Sequence, residues 1–214
     1  MKNKLKYMAL CLSLLIGVGA CSEEEIAYSA GEENKEVILQ LNCLLQTNQE
    51  VIVSRASTAE NRLNDLHFYV FNAAGELTGY KKLVATESSP IPTPGPETVT
   101  VKAITGEAYI YALANLNSTI YYLDDADKNK LTGIDEADVA GSSLTRDEFL
   151  AIDFKRQYGN ASHIISPNPT DGQFMMSGYL NGGKAVTITA GTNGAGVISE
   201  SNVIRLYRIL AKNT

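Results

Sequence analysis

From Val37 to Leu45 the chain reads VILQLNCLL, and Val37, Leu39, Leu41, Cys43 and Leu45 fall on one side of an extended backbone with Gln40 and Asn42 on the other. A period of two is the pattern of a strand with one face in a core. Similar stretches recur: Leu66–Phe71, Val99–Ala103, Tyr109–Leu116, Phe174–Leu180, Lys184–Ala190 and Val203–Leu210, with a short candidate at Val51–Val53. Turn-forming NAAG (72–75) and the proline-rich run SSPIPTPGP (88–96) separate them, and neither supports regular structure of its own. One minor helix is expected after Thr145, where Glu148 three residues on completes a capping box ahead of Phe149 and Leu150. Many short strands, glycine and proline punctuation and a single small helix specify an all-β chain folded as a Greek-key β-sandwich.

The N-terminus carries a different kind of signal. Lys2, Lys4 and Lys6 lead into an apolar run from Tyr7 to Val18 that is too short to span a bilayer comfortably, and Gly19-Ala20 precede Cys21. Val-Gly-Ala-Cys is similar to a lipobox, in which the Cys21 thiol is acylated and becomes the new N-terminus. Residues 1–20 then read as a lipoprotein signal peptide and 21–35 as an acidic tether. Cys11 departs with the signal and Cys21 carries lipid, so Cys43 alone remains and no intramolecular disulfide is expected. A formal charge of −6, more negative once the signal lysines are lost, argues against nucleic acid as a partner.

Candidate chemistry is sparse. LDDADKNKLTGIDE (123–136) places Asp125, Asp127, Asn129 and Glu136 at calcium-loop positions, but Lys130 stands where the loop's sharp turn needs glycine. The segment reads as a solvated acidic loop. His67 is expected on the polar side of its strand without an orienting partner, and His163 likewise lacks one. GTNGAG (191–196) lies between strands, so it reads as a hairpin turn and not a phosphate cradle. Tyr109 and Tyr111 alternate within an apolar strand and are expected in the core or at an interface. No cofactor, metal site or catalytic constellation is expected, and the chain is not read as an enzyme. A monomeric surface lipoprotein that stacks exposed aromatics on glycans is the alternative.

Four local signatures occur in order behind the lipobox: SRAST (54–58) with LHFYVFNAAGEL (66–77), YALANL (111–116), FMMSG (174–178) and VIRLYRILAK (203–212). Together they resemble the N-terminal domain of the fimbrillin family, subunits of type V pili in Bacteroidota-type bacteria, over roughly residues 36–212. The resemblance implies a transthyretin-like sandwich over 56–214, preceded by a pro-strand at 36–55. It implies export to the outer membrane, a lipid anchor at Cys21, cleavage by an Arg-specific protease between Arg55 and Ala56, and incorporation into a fimbrium. Val37, Leu39, Leu41, Cys43 and Leu45 would then fill a groove that another subunit's strand takes over. Family members usually continue into a second sandwich that supplies the donor strand. A chain ending at Thr214, whether a truncated product, a fragment or a divergent short subunit, is therefore expected to accept a strand without one of its own to give.

Overall fold

The computed structural model describes residues 34–46, 62–91, 97–117, 121–156 and 174–209. Cys21, Val51–Val53, Arg55, Ala56 and His163, together with the signal and most of the tether, lie outside the described residues.

Among the described residues, eleven strands follow in chain order: β1 (Glu36–Leu45), β2 (Asp65–Asn72), β3 (Leu77–Val84), β4 (Glu97–Ile104), β5 (Gly106–Ala114), β6 (Tyr121–Tyr122), β7 (Lys155–Arg156), β8 (Met176–Tyr179), β9 (Val186–Ala190), β10 (Gly196–Ile198) and β11 (Val203–Arg208). Two short helices, α1 (Asp125–Thr132) and α2 (Arg146–Ala151), lie between β6 and β7. Nine strands form one continuous sheet, and β6 pairs with β7 in a separate ribbon. The fold is all-β with a minor helical component, as the strand pattern requires.

The sheet encloses its core by folding over itself. β5 pairs with β2 along one edge and with β8 and β9 along the other. The path continues from β8 through β11 and β1 to β4. β4 then comes back against β3: a Cβ at Gly79 would overlap the Lys102 carbonyl oxygen, so glycine permits the two backbones to touch. Apolar side chains of β1, β4 and β11 meet those of β2, β5 and β9 in one largely aliphatic cluster.

The opposite face of β2 and β5 is covered as well. Tyr69, Phe71, Tyr111 and Leu113 pack beneath Leu123, Leu131, Leu144 and Phe149 from the 123–149 segment. This second layer explains why Asp65 through Phe71 are all buried, with no alternation. The expected minor helix is α2, and its capping box is present: Thr145 Oγ1 accepts from Glu148 N at 3.3 Å, and Glu148 Oε2 accepts from Thr145 N at 3.0 Å.

Two expectations change. The acidic segment after Leu123 is the helix α1 and not a loop, with Asp125 and Asp127 in its first turn, where the helix dipole favours acids. Glu136 is engaged elsewhere, by Lys81 Nζ at 2.8 Å and Lys82 N at 2.7 Å, so the four calcium-loop positions do not converge. His67 is 1 % exposed rather than on a polar face, and it has partners. GTNGAG does form the expected hairpin, joining β9 to β10 with Gly191 N donating to Ala195 O at 2.7 Å.

Two of the sequence signatures have local physical reasons. Asn115 in YALANL adopts a positive φ of 58° and is 1 % exposed. Its side-chain amide donates to Arg62 O and Phe174 O at 3.0 and 2.9 Å and accepts from Asn64 N at 2.9 Å, tying three segments together. In FMMSG, Met175 and Met176 are fully buried, and a Cβ at Gly178 would lie 2.5 Å from Arg205 O.

Candidate functional site

β1 occupies an interior slot in the sheet. On one edge it runs antiparallel to β4 over eight residue pairs, from Glu36↔Ile104 to Cys43↔Glu97. On the other it runs parallel to β11 from Asn42↔Val203 to Leu45↔Leu206. Closer to its start, Ile38 makes a parallel bridge to Ala195, just before β10. Parallel neighbours cannot be joined by a tight turn, so tertiary contact and not local chain geometry holds β1 in place.

The side chains expected to face inward do so. Val37, Leu39, Leu41, Cys43 and Leu45 are 1, 1, 0, 3 and 9 % exposed. Burial of an aliphatic side chain of this size is worth about 2 kcal/mol, so the strand contributes heavily to the enclosed core. Cys43 packs within that cluster as a small apolar side chain. At the β10 end the fit is close: a Cβ on Gly196 would lie 2.6 Å from Leu39 Cδ2 and 2.9 Å from Val37 Cγ2.

The outward side of β1 is polar and is held at its rim. Thr98 Oγ1 donates to Asn42 Oδ1 at 2.7 Å, and Arg205 donates to Gln46 Oε1 at 3.1 Å. Asn202 Nδ2 donates to the Gln40 carbonyl at 3.0 Å, while Lys102 Nζ lies 3.3 Å from Glu36 Oε1. The strand pattern pointed to β1 as an element. It carried no sign of these four rim residues, because they come from strands and loops brought in by long-range pairing.

A second cluster of polar groups lies on β2 and β3. His67 Nδ1 is 2.8 Å from Tyr80 Oη, and its Nε2 is 3.3 Å from Asp65 Oδ1 but off the axis of a hydrogen bond. Asp65 Oδ1 also accepts from Leu116 N at 2.8 Å. Burial alone would raise the Asp65 carboxyl, but His67 and the Leu116 amide outweigh it and hold the group below its ordinary value. Burial pushes the Tyr69 and Tyr80 hydroxyls up, aided by nearby acidic groups. Tyr69 Oη donates to the Leu131 carbonyl at 3.0 Å, which ties β2 to α1. Asp65, His67, Tyr69 and Tyr80 are each at most 3 % exposed, so the cluster braces the fold and offers no access to a solute.

Tyr111 is buried and Tyr109 half-buried, with the Arg146 guanidinium 3.7 Å above the Tyr109 ring and Arg146 Nε donating to Tyr111 Oη at 2.9 Å. The face of Tyr109 is thus occupied within the chain. Tyr179 and Tyr207 are exposed, at 51 and 43 %. Among the described residues, no three His, Cys, Asp or Glu side chains are grouped to hold a metal ion, and no helix is long and apolar enough to cross a membrane.

A slot filled by the chain's own N-terminal strand is the central feature of this site, and comparison with known proteins places it in context. Residues 45–208 match the family described as major fimbrial subunit protein (FimA). The chain belongs to this family. The match begins at the last residue of β1 and ends at the last residue of β11. Among solved structures, this family member is similar to the tip fimbrial protein Mfa3 from Porphyromonas gingivalis with C-terminal truncation, at 18 % identity and a TM-score of 0.46, over 81 % of this chain and 48 % of that one. It is similar to the fimbrial anchor protein Mfa2 from the same organism at 13 % identity and a TM-score of 0.41, over 79 and 49 %. A fimbrial assembly protein from Parabacteroides distasonis is similar at 15 % identity and a TM-score of 0.40, over 81 and 54 %. The chain spans about half the length of these structures. No curated protein matches it.

Proposed function

We propose that this FimA-family chain is a structural subunit of a surface fimbria that assembles by strand exchange at the slot now held by β1. The observation that carries the reading is the seating of β1: both edges are paired, five alternate side chains are buried, and its connection to the rest of the sheet runs through the segment containing Arg55. Cleavage between Arg55 and Ala56 would turn β1 from an intramolecular strand into a separable one, held without the high effective concentration that the covalent link provides. Its departure would expose unpaired backbone on β4 and β11 together with five apolar pockets, which another subunit's strand can satisfy.

Among the described strands, β1 is the ladder partner of β4 in the sheet. An empty slot would leave β4 held chiefly by packing, so replacement is favoured over vacancy. The lipid anchor at Cys21 would hold the precursor at the outer membrane until an Arg-specific protease acts. Membership in the family, the lipobox-like N-terminus and the position of Arg55 support that order of events. The fimbrium at the cell surface is then the final location, with other fimbrial subunits as partners.

The direct test is the N-terminus and intact mass of the protein recovered from the outer cell surface. A chain beginning at Ala56 in detergent-resistant assemblies is the expected result. A lipidated, monomeric chain beginning at Cys21 would count against processing and favour the glycan-binding alternative. Arg55→Ala is expected to keep the chain long, lipidated and unassembled, and normal assembly of that variant would sink the cleavage step.

A further inference from the structure

From the polarity of the rim we infer that the slot selects its incoming strand by outward-facing acceptors as well as by inward-facing aliphatics. This rests on the strand-exchange reading and names the partner's chemistry. It is an extended segment parallel to β11, with five alternate aliphatic side chains inward and carboxylate side chains outward near both ends and at the position of Asn42.

The inner requirement follows from size. The resident side chains are one Val, three Leu and one Cys, and Gly196 already lies against Val37 and Leu39 with no room for a methyl group. An aromatic ring at either of those two places would force β10 away, since overpacking a close contact is destabilising.

The outer requirement follows from hydrogen-bond chemistry. Along Glu36–Gln46, the four rim side chains Lys102, Thr98, Asn202 and Arg205 each present a donor to the strand. Lysine and arginine cannot accept, so the positions of Glu36 and Gln46 favour an acceptor over a donor whatever strand lies there. Asn202 reads the Gln40 main chain and is indifferent to sequence. The other three discriminate. The resident strand meets them with one carboxylate and two carboxamides. A strand with carboxylates at all three places would make the neutral Thr98–Asn42 bond charge-assisted and turn the Arg205–Gln46 bond into an ion pair. Lysines there would set like charges together at both ends. These contacts are exposed, so each is modest and screened by salt.

The test uses the full chain cut once after Arg55, verified by intact mass as two pieces that remain associated. Fluorescein-labelled peptides displace the resident strand, read by anisotropy. The first probe has the sequence of residues 36–46. The second carries Asn42→Asp and Gln46→Glu, and the third Glu36→Lys, Asn42→Lys and Gln46→Lys. At low salt the acidic peptide is expected to bind about threefold more tightly than the first, and the lysine peptide about tenfold more weakly, the two gaps closing as salt rises. Lys102→Glu with Arg205→Glu, both on the exposed side of the sheet, should reverse the order. Equal binding of all three peptides overturns the rim inference and leaves exchange standing. No displacement by any peptide overturns strand exchange and the inference with it.

Discussion

The two faces of the β2–β5 pair carry different cores. The inner one is largely aliphatic apart from Phe68, and β1, the first of the described strands, supplies five of its side chains. The outer one mixes leucines with a nest of rings: Phe149 of α2 sits 4.9, 5.5 and 5.1 Å from the ring centroids of Tyr69, Phe71 and Tyr111. Polar anchors stitch that layer to the sheet through Tyr69 Oη and Arg146. The inner core is closed by a strand whose seat depends on long-range pairing, the outer by a continuous stretch of chain from Leu123 to Phe149. Under the proposed strand exchange, the first half of the hydrophobic interior would lose and regain a component, while the second would stay closed by its own stretch of chain.

The largest break in that comparison is expected at the centre of β1. Leu41→Ala should cost about 4 kcal/mol in the uncut chain, measured by denaturant unfolding, because its site is enclosed on all sides. It should also weaken retention of β1 after cleavage, which a merely local defect would not do. Phe149→Ala should cost about 3 kcal/mol and collapse the near-ultraviolet circular dichroism of the outer cluster. It should leave peptide displacement at the slot unchanged, and altered displacement would show that the two cores are coupled.

Gly196→Val should cost about 2 kcal/mol by driving β10 off Val37 and Leu39. Combining it with Val37→Ala and Leu39→Ala should recover much less than its full cost if the clash is elsewhere, so the triple variant localises the strain.

Asp65 adds a pH dependence. Its carboxyl is held below the ordinary value of 3.8, so the folded protein keeps it charged where the unfolded chain takes up a proton. That stability is complete above the ordinary value and is lost as pH falls through the lower folded one. Asp65→Asn should flatten unfolding free energy against pH in this acidic window, and an unchanged slope would remove Asp65 as its source. The smallest effect is expected from Thr145→Ala, about 1 kcal/mol from loss of the cap on α2, read by thermal melting.

Sequence reading reached the elements whose rules are local. The period of two located β1 and its inward residues, since alternation is a property of any strand with one buried face. The capping box marked α2 because its bonds span three residues. It failed at His67 because Asp65–Phe71 is covered on both faces, and a two-sided strand has no polar side to read. It failed at Asp125 and Asp127 because their helix buries only Leu131, too little apolar pattern to set it apart from a solvated loop. Strand β3 is not legible in the sequence: Thr78, Lys81 and Lys82 break any apolar alternation, and its place comes from pairing with β2.

By itself, then, the order of residues determined that this chain is all-β, that Val37–Leu45 presents five apolar side chains on one face, and that an arginine follows that strand before the sheet begins in earnest. The tertiary structure alone decided that β1 lies between β4 and β11, parallel to the latter, and that Lys102, Thr98, Asn202 and Arg205 frame it. The reason is one of range. Alternation and capping act between residues a few places apart, whereas the slot is made by partners up to 162 residues away, whose register depends on the packing of the whole sheet.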